Sequence, residues 1–123
     1  MATAYIAGPM RGYQDYNFPA FDAARDLISS CGIDVISPAD LDRDSGIVPD
    51  PNGKVTQRLL RDCLGRDIVK LVECDLLVLL QGWRNSRGAI AEHATAIAIG
   101  IPVVELTNIG SGEIMEIVDG VTT

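Results

Sequence analysis

The stretch DLLVLLQGWRNSRGAIAEHATAIAIGIPVVEL, Asp75 to Leu106, decides the fold. Its opening, DLLVLL (Asp75–Leu80), is almost wholly apolar, the pattern of a central strand covered on both faces. Gln81 to Asn85 reads as a loop. From Ser86 the residues are small and aliphatic up to Gly100, with Asn85 or Ser86 as an N-cap and Gly100 followed by Pro102 as a stop, so a helix is predicted. IPVVEL (Ile101–Leu106) is then a second strand. Strand, helix and strand in this order make one unit of a parallel sheet with a right-handed crossover.

The same alternation holds upstream. Ala4–Ala7 is a short apolar strand ending at Gly8-Pro9. Asn17–Cys31 carries Phe18, Phe21, Ala24, Leu27, Ile28 and Cys31 on one helical face and stops at Gly32. Ile33–Ser37 is the next strand. Val55–Val72 is a second helix, with Leu60, Leu64, Ile68 and Leu71 as its stripe. Between them, Pro38–Gly53 is acidic, rich in Pro, Gly and Asp, and without periodicity, so it reads as a long loop of the kind that forms lids or binding loops. Gly112–Val118 reads as a short closing helix. The whole chain, residues 1–123, is expected to form one α/β domain, a flavodoxin-like three-layer sandwich with a four- to five-stranded parallel sheet. Ligands of such sheets bind beyond the carboxyl ends of the strands.

Composition narrows the function classes. Ten basic residues against seventeen acidic ones give a net charge of −7, which disfavours a nucleic-acid polymer as partner, since such binding needs many Lys/Arg–phosphate contacts. A small anion held by a few local donors is still compatible with it. The longest apolar run, Cys74–Leu80, is interrupted by Asp75 and too short to span a bilayer. No basic region precedes an apolar stretch at the N-terminus, so no secretory signal is expected. Cys31, Cys63 and Cys74 show no CxxC pair and read as reduced thiols of a cytoplasmic protein, with no zinc site. DLDRDSG (Asp40–Gly46) imitates a calcium loop, but its glycine falls one place late and Pro51 stands where a bidentate Glu is required. A solvated acidic loop, with no metal, is the expectation.

Five places could carry chemistry. Gly8-Pro9-Met10-Arg11-Gly12 follows the first strand, where Arg11 is either a solvated turn residue or a planar donor for an anionic substrate. Asn85-Ser86-Arg87-Gly88 opens the helix after the central strand. It is either an ordinary N-cap or a phosphate cradle, built from backbone N–H groups, the Ser86 hydroxyl and the close approach Gly88 permits. Glu92 is an acid inside a helix of Ala and Ile, where Ile90, Ile97 and Ile101 leave little polar face for it. His93 beside it has no second ligand at metal spacing and reads as a surface or interface residue. Asp67 is either solvated beside Arg66 and Lys70 or a second acid of the site, whereas Asp75 opens its strand at the far end of the sheet and reads as structural.

With these residues in hand, the chain resembles the nucleoside 2-deoxyribosyltransferase superfamily, most of all its deoxyribonucleoside 5′-monophosphate N-glycosidase branch. YIAGPMRG (Tyr5–Gly12), RDCLGRDIVKLVECDLLVLL and SRGAIAEHATAIAIGIPVV carry the resemblance, in the family's order and spacing. It implies Glu92 as nucleophile, Asp67 as the acid that positions the sugar or protonates the base, and Tyr5 beside the nucleophile. It also implies a substrate pocket containing Gly8 and Arg11, with Ser86 and Gly88 holding the 5′-phosphate. The transferase branch tends to carry an Asp near Asn85-Ser86, and its absence here favours a nucleotide over a nucleoside. The expected reaction is hydrolysis of a deoxynucleotide N-glycosidic bond, without cofactor, in a homodimer. Base exchange between deoxynucleosides, or nucleotide binding without turnover, are the alternatives. Base contacts are expected from Ser37–Gly53 and Gln81–Arg84.

Overall fold

The computed structural model describes residues 2–106. The elements run β1 (Thr3–Ala7), α1 (Phe18–Ser30), β2 (Asp34–Ile36), α2 (Pro38–Asp44), α3 (Gln57–Leu71), β3 (Leu76–Leu80), α4 (Arg87–Ile99) and β4 (Val103–Leu106). The four strands are all parallel, in the order β2-β1-β3-β4. Helices cover both faces, which is the flavodoxin-like three-layer arrangement. The helix expected at Gly112–Val118 lies outside the described residues.

Strand alternation assigns the two cores. Ala4, Ile6, Leu76, Val78 and Leu80 pack against Phe21, Ala24 and Ile28 of α1. Their neighbours Tyr5, Ala7, Leu77 and Leu79 point the other way, against Leu71 of α3 and Ala89 and Ala96 of α4. Successive strand side chains take opposite faces, so Tyr5 is directed toward α3 and α4 by the pleat alone. The chain winds from β1 outward to β2, then returns past β1 to β3 and continues to β4. The direction reverses between β1 and β3, so a crevice opens at their carboxyl ends.

Three expectations are corrected. Pro38–Gly53 is not irregular throughout, because its first part is α2. Ser37 caps that helix, its Oγ accepting from Ala39 N at 3.3 Å, and Pro38 supplies a preset first-turn φ. Seven residues are too few for a periodic apolar stripe to show. On α3 the buried positions are Cys63, Asp67 and Leu71, whereas Leu60 is exposed. On α4 the buried face is Ala89, Glu92 and Ala96, while Ile90, Ile97 and Ile99 face outward. Small residues win the inner face because they let the helix lie close to the sheet.

The segment joining β1 to α1 is unusual. Asp15, Tyr16 and Asn17 have φ of 52°, 52° and 58°, left-handed conformations that cost non-glycine residues about 1–3 kcal/mol each. They are held by long-range bonds. Tyr16 Oη donates to the Lys54 carbonyl, Asn17 Nδ2 to the Pro9 carbonyl at 2.9 Å, and Asp15 N to the Asp50 carbonyl at 3.2 Å. This strap therefore ties the β1–α1 connection to the loop before α3. At the far end of the sheet, Asp75 Oδ2 accepts from Thr3 N at 2.9 Å, in agreement with a structural role.

Candidate functional site

A cavity of about 520 Å³ opens at the carboxyl ends of β1 and β3. Gly8, Met10, Arg11 and Gly12 line it from the β1 end, Cys63, Leu64 and Asp67 from α3, and Asn85, Ser86, Gly88 and Glu92 from the start of α4. Six of the seven residues expected to form a site, all but Tyr5, therefore line one cavity, and Tyr5 reaches it through Glu92.

Glu92 is the centre of this arrangement. It is 5% exposed, and the Tyr5 hydroxyl donates a hydrogen bond to its Oε2. Burial pushes the Glu92 carboxyl up to about 8 against the Tyr5 bond, which favours the charged form; nearby Asp67 adds to the rise, and Arg66 and Arg11 oppose it. Burial likewise raises the Tyr5 phenol well above its ordinary value, with Glu92 and Asp67 reinforcing the effect. The phenol is thus a fixed donor across the neutral range.

Asp67 is not solvated. It is 7% exposed, and burial pushes it up to about 6 although Arg66 is hydrogen-bonded to it. Two acids with raised values, one on α3 and one on α4, face the same crevice. Such pairs concentrate at sites of acid–base chemistry.

Arg11 lines the cavity, but it is not a free donor. Its Nη1 and Nη2 make a bidentate pair with Asp42 at 2.6 and 3.1 Å, and its guanidinium lies 4.7 Å from the Tyr16 ring centre. Burial opposes its charge, yet Asp42 holds its value above the ordinary one. Asp42, on α2, is fully buried, against the expectation of a solvated acidic loop. Arg66 Nη2 also donates to Asp42, at 2.8 Å. Neither Asp42 nor Arg66 was legible as a site residue, because nothing local to an acidic segment marks one carboxylate as buried.

Ser86 caps α4, its Oγ accepting from Ala89 N at 3.2 Å, so the ordinary capping role is present. Its hydroxyl proton stays available to the cavity. The glycines of the site differ in kind. A Cβ on Gly8 would lie 2.8 Å from Leu80 Cβ, so packing alone requires glycine there. A Cβ on Gly88 would meet only Ser86 Oγ, at 3.9 Å, so its missing side chain leaves open space at the helix N-terminus. Ser86→Ala is expected to destabilise the protein by about 1 kcal/mol through loss of the cap, read from urea unfolding; an unchanged midpoint would mean that another group caps α4.

His93 is half-buried with its ring 4.6 Å from that of Trp83, whose Nε1 donates to Glu105 Oε1 at 2.7 Å. It belongs to this aromatic cluster, not to an open surface. Among the described residues no group of three or more His, Cys, Asp or Glu is placed to hold a metal ion.

Residues 2–105 match the model of a domain of unknown function, DUF4406. The chain belongs to the DUF4406 family. The matched region takes in β1, β2, β3, all of β4 but its last residue, and the cavity-lining side chains. No curated protein matches the chain.

Proposed function

We propose that this DUF4406 protein hydrolyses the N-glycosidic bond of a 2′-deoxyribonucleoside 5′-monophosphate, releasing the free base and deoxyribose 5-phosphate. One observation carries the reading: a buried glutamate, oriented by a tyrosine, shares a cavity at the sheet's switch point with a second buried acid. Retaining glycosidases use two carboxyl groups in this way. Glu92 Oε2 is occupied by Tyr5, which leaves Oε1 for C1′. As the C1′–N bond breaks, its electron pair leaves with the base, which takes a proton from Asp67, and Glu92 forms an ester with C1′. Water then adds at C1′, giving up a proton to the Asp67 carboxylate, and the C1′–O bond to Glu92 breaks to release the Glu92 carboxylate. Ser86, Gly88 and the first N–H groups of α4 are the phosphate cradle, supported by the open space at Gly88. Arg11 supplies positive potential from behind, already paired with Asp42.

The same reading takes the substrate as a small molecule, without cofactor, metal or nucleic-acid polymer, and the compartment as cytoplasmic. No helix among the described residues is long and apolar enough to cross a membrane. Exposed Val69 on α3, Val72 just past its end, and Ile90 and Ile97 on α4 support the homodimer.

The test is incubation with each common deoxynucleoside monophosphate and chromatography for free base. Base release is expected from at least one. Binding without release would reduce the protein to a nucleotide-binding module, and a new nucleoside on adding an acceptor base would make it a transferase. The pH profile is a further prediction. The reacting form is the minor tautomer of the one-proton state, with the proton on Asp67 and Glu92 ionised, whereas most one-proton molecules carry it on Glu92, the weaker acid. Below about 6 the pair holds two protons, and above about 8 it holds none. The rate at low substrate is therefore bell-shaped, rising through about 6 and falling through about 8. A rate that keeps climbing through pH 9 would remove Asp67 as the proton donor.

A further inference from the structure

We infer that Asp42 is a positioning residue for the Asp67 proton donor, acting through Arg66; the inference rests on the glycosidase reading above. Asp42 is fully buried and makes contacts toward two sides of the cavity. Its Oδ2 accepts from Arg11 Nη1 at 2.6 Å, and its Oδ1 accepts from Arg11 Nη2 at 3.1 Å and from Arg66 Nη2 at 2.8 Å. The Arg66 guanidinium, gripped on one side by Asp42, donates from Nε to Asp67 Oδ1 at 2.8 Å, and its Nη2 lies 2.7 Å from the same oxygen as an ion pair. Both nitrogens lie against a single oxygen of Asp67. The other oxygen, Oδ2, has no partner among the described residues, and Asp67 lines the cavity.

The geometry has a chemical consequence. A guanidinium bound to one carboxylate oxygen favours the proton on the other. Arg66 therefore places the transferable proton on Oδ2, the oxygen left for the leaving base. Arg66 can do this only while its plane is fixed. A lone arginine on a helix surface has many rotamers; one bridged between two carboxylates has few. Asp42 thus does for Arg66 what an orienting carboxylate does for a catalytic histidine. Asp42 also balances the two arginines. Without it, the positive charges of Arg11 and Arg66 would bear on Asp67 uncompensated and hold it ionised.

The groups facing Asp67 are Arg66 and Cys63 on its own helix, Asp42 on α2, Arg11 after β1, Tyr5 on β1 and Glu92 on α4. Removing the Asp42 charge leaves the two arginines as the nearest counter-charges, so the acid limb of the profile moves to lower pH.

The test uses Asp42→Asn and Arg66→Lys in the full chain, each checked for folding by circular dichroism and the Trp83 emission. For the deoxynucleotide that wild type cleaves, both variants are expected to lose roughly 10- to 100-fold in kcat with KM changed little, as for a misplaced catalytic group. In Asp42→Asn the acid limb also falls in pH while the basic limb set by Glu92 stays in place, whereas a merely loosened fold would lower both, since burial raises both carboxyls. In parallel, ¹³C-aspartate NMR follows the Asp67 carboxyl, assigned by its loss in Asp67→Asn. Its titration midpoint is expected to fall in Asp42→Asn. Folded variants with wild-type kcat and an unmoved Asp67 midpoint overturn the inference. If wild type releases no base at all, the glycosidase reading fails, and the NMR midpoint alone decides whether Asp42 governs Asp67.

Discussion

Glu92→Gln is expected to lose base-releasing activity by about 10³–10⁴-fold, equivalent to roughly 4–6 kcal/mol of transition-state stabilisation, and at the same time to make the protein more stable above neutral pH. The two effects have one origin. Glutamine has the shape of glutamate and still accepts the Tyr5 hydrogen bond, but it cannot form the ester at C1′. It also removes a carboxyl that burial has pushed from 4.5 up to about 8. In the unfolded chain that group ionises near its ordinary value; in the folded protein it stays neutral until about pH 8. Its contribution to stability is therefore fully present below the unfolded value and is lost as pH rises toward the folded one. At pH 9 the glutamine variant is expected to be more stable than wild type by on the order of 2–4 kcal/mol, with the gap closing near pH 4. Urea unfolding at both pH values measures it. A variant that retains a tenth of the wild-type rate, or shows the same stability difference at both pH values, contradicts this assignment. Stability withheld at a functional position is the usual trade-off of active sites.

Gly53→Ala is expected to destabilise the fold by roughly 3 kcal/mol, lowering Tm by about 10 °C. Gly53 has φ +78°, and a Cβ there would fall 2.5 Å from the Gly12 carbonyl carbon and 2.6 Å from the Tyr13 carbonyl oxygen. Those atoms are backbone, so they cannot swing aside. Gly53 also accepts from Gly12 N at 2.8 Å, which ties the loop before α3 to the turn that carries Arg11. The strained Asp15–Asn17 strap leans on the same loop through Asp50 and Lys54. Activity should therefore fall together with stability. Gly65→Ala is the control: it lies mid-helix with nothing within 4 Å of an added Cβ, so it should stabilise by about 0.5–1 kcal/mol. Thermal unfolding of both variants tests the contrast, and a neutral Gly53→Ala would show that the loop does not rest on Gly12.

How much of this was legible can be judged residue by residue. The apolar run Leu76–Leu80, the Gly-Pro break after Ala7 and the Ser86 cap mark the strand ends, so the place of the crevice follows from the chain alone. Glu92 stood out because an acid among alanines and isoleucines is chemically conspicuous. The reason offered for it was incomplete, since Ile90 and Ile97 turn outward and the inner face belongs to alanine. Asp67 had two readings, solvated or functional, and local sequence could not choose between them. Burial of Cys63, Asp67 and Leu71 in place of Leu60 did.

By itself, then, the sequence determined where the strands and the three longer helices lie and which end of the sheet carries the chemistry. Periodicity, caps and turn residues are local, and each acts over a few positions. Tertiary structure alone decided that Asp42 is buried, that Arg11 is neutralised instead of free, and that Arg66 joins two carboxylates. These depend on charges that meet across 24 to 31 residues of chain. A carboxylate's neighbours in sequence carry no trace of the arginines it will meet in space.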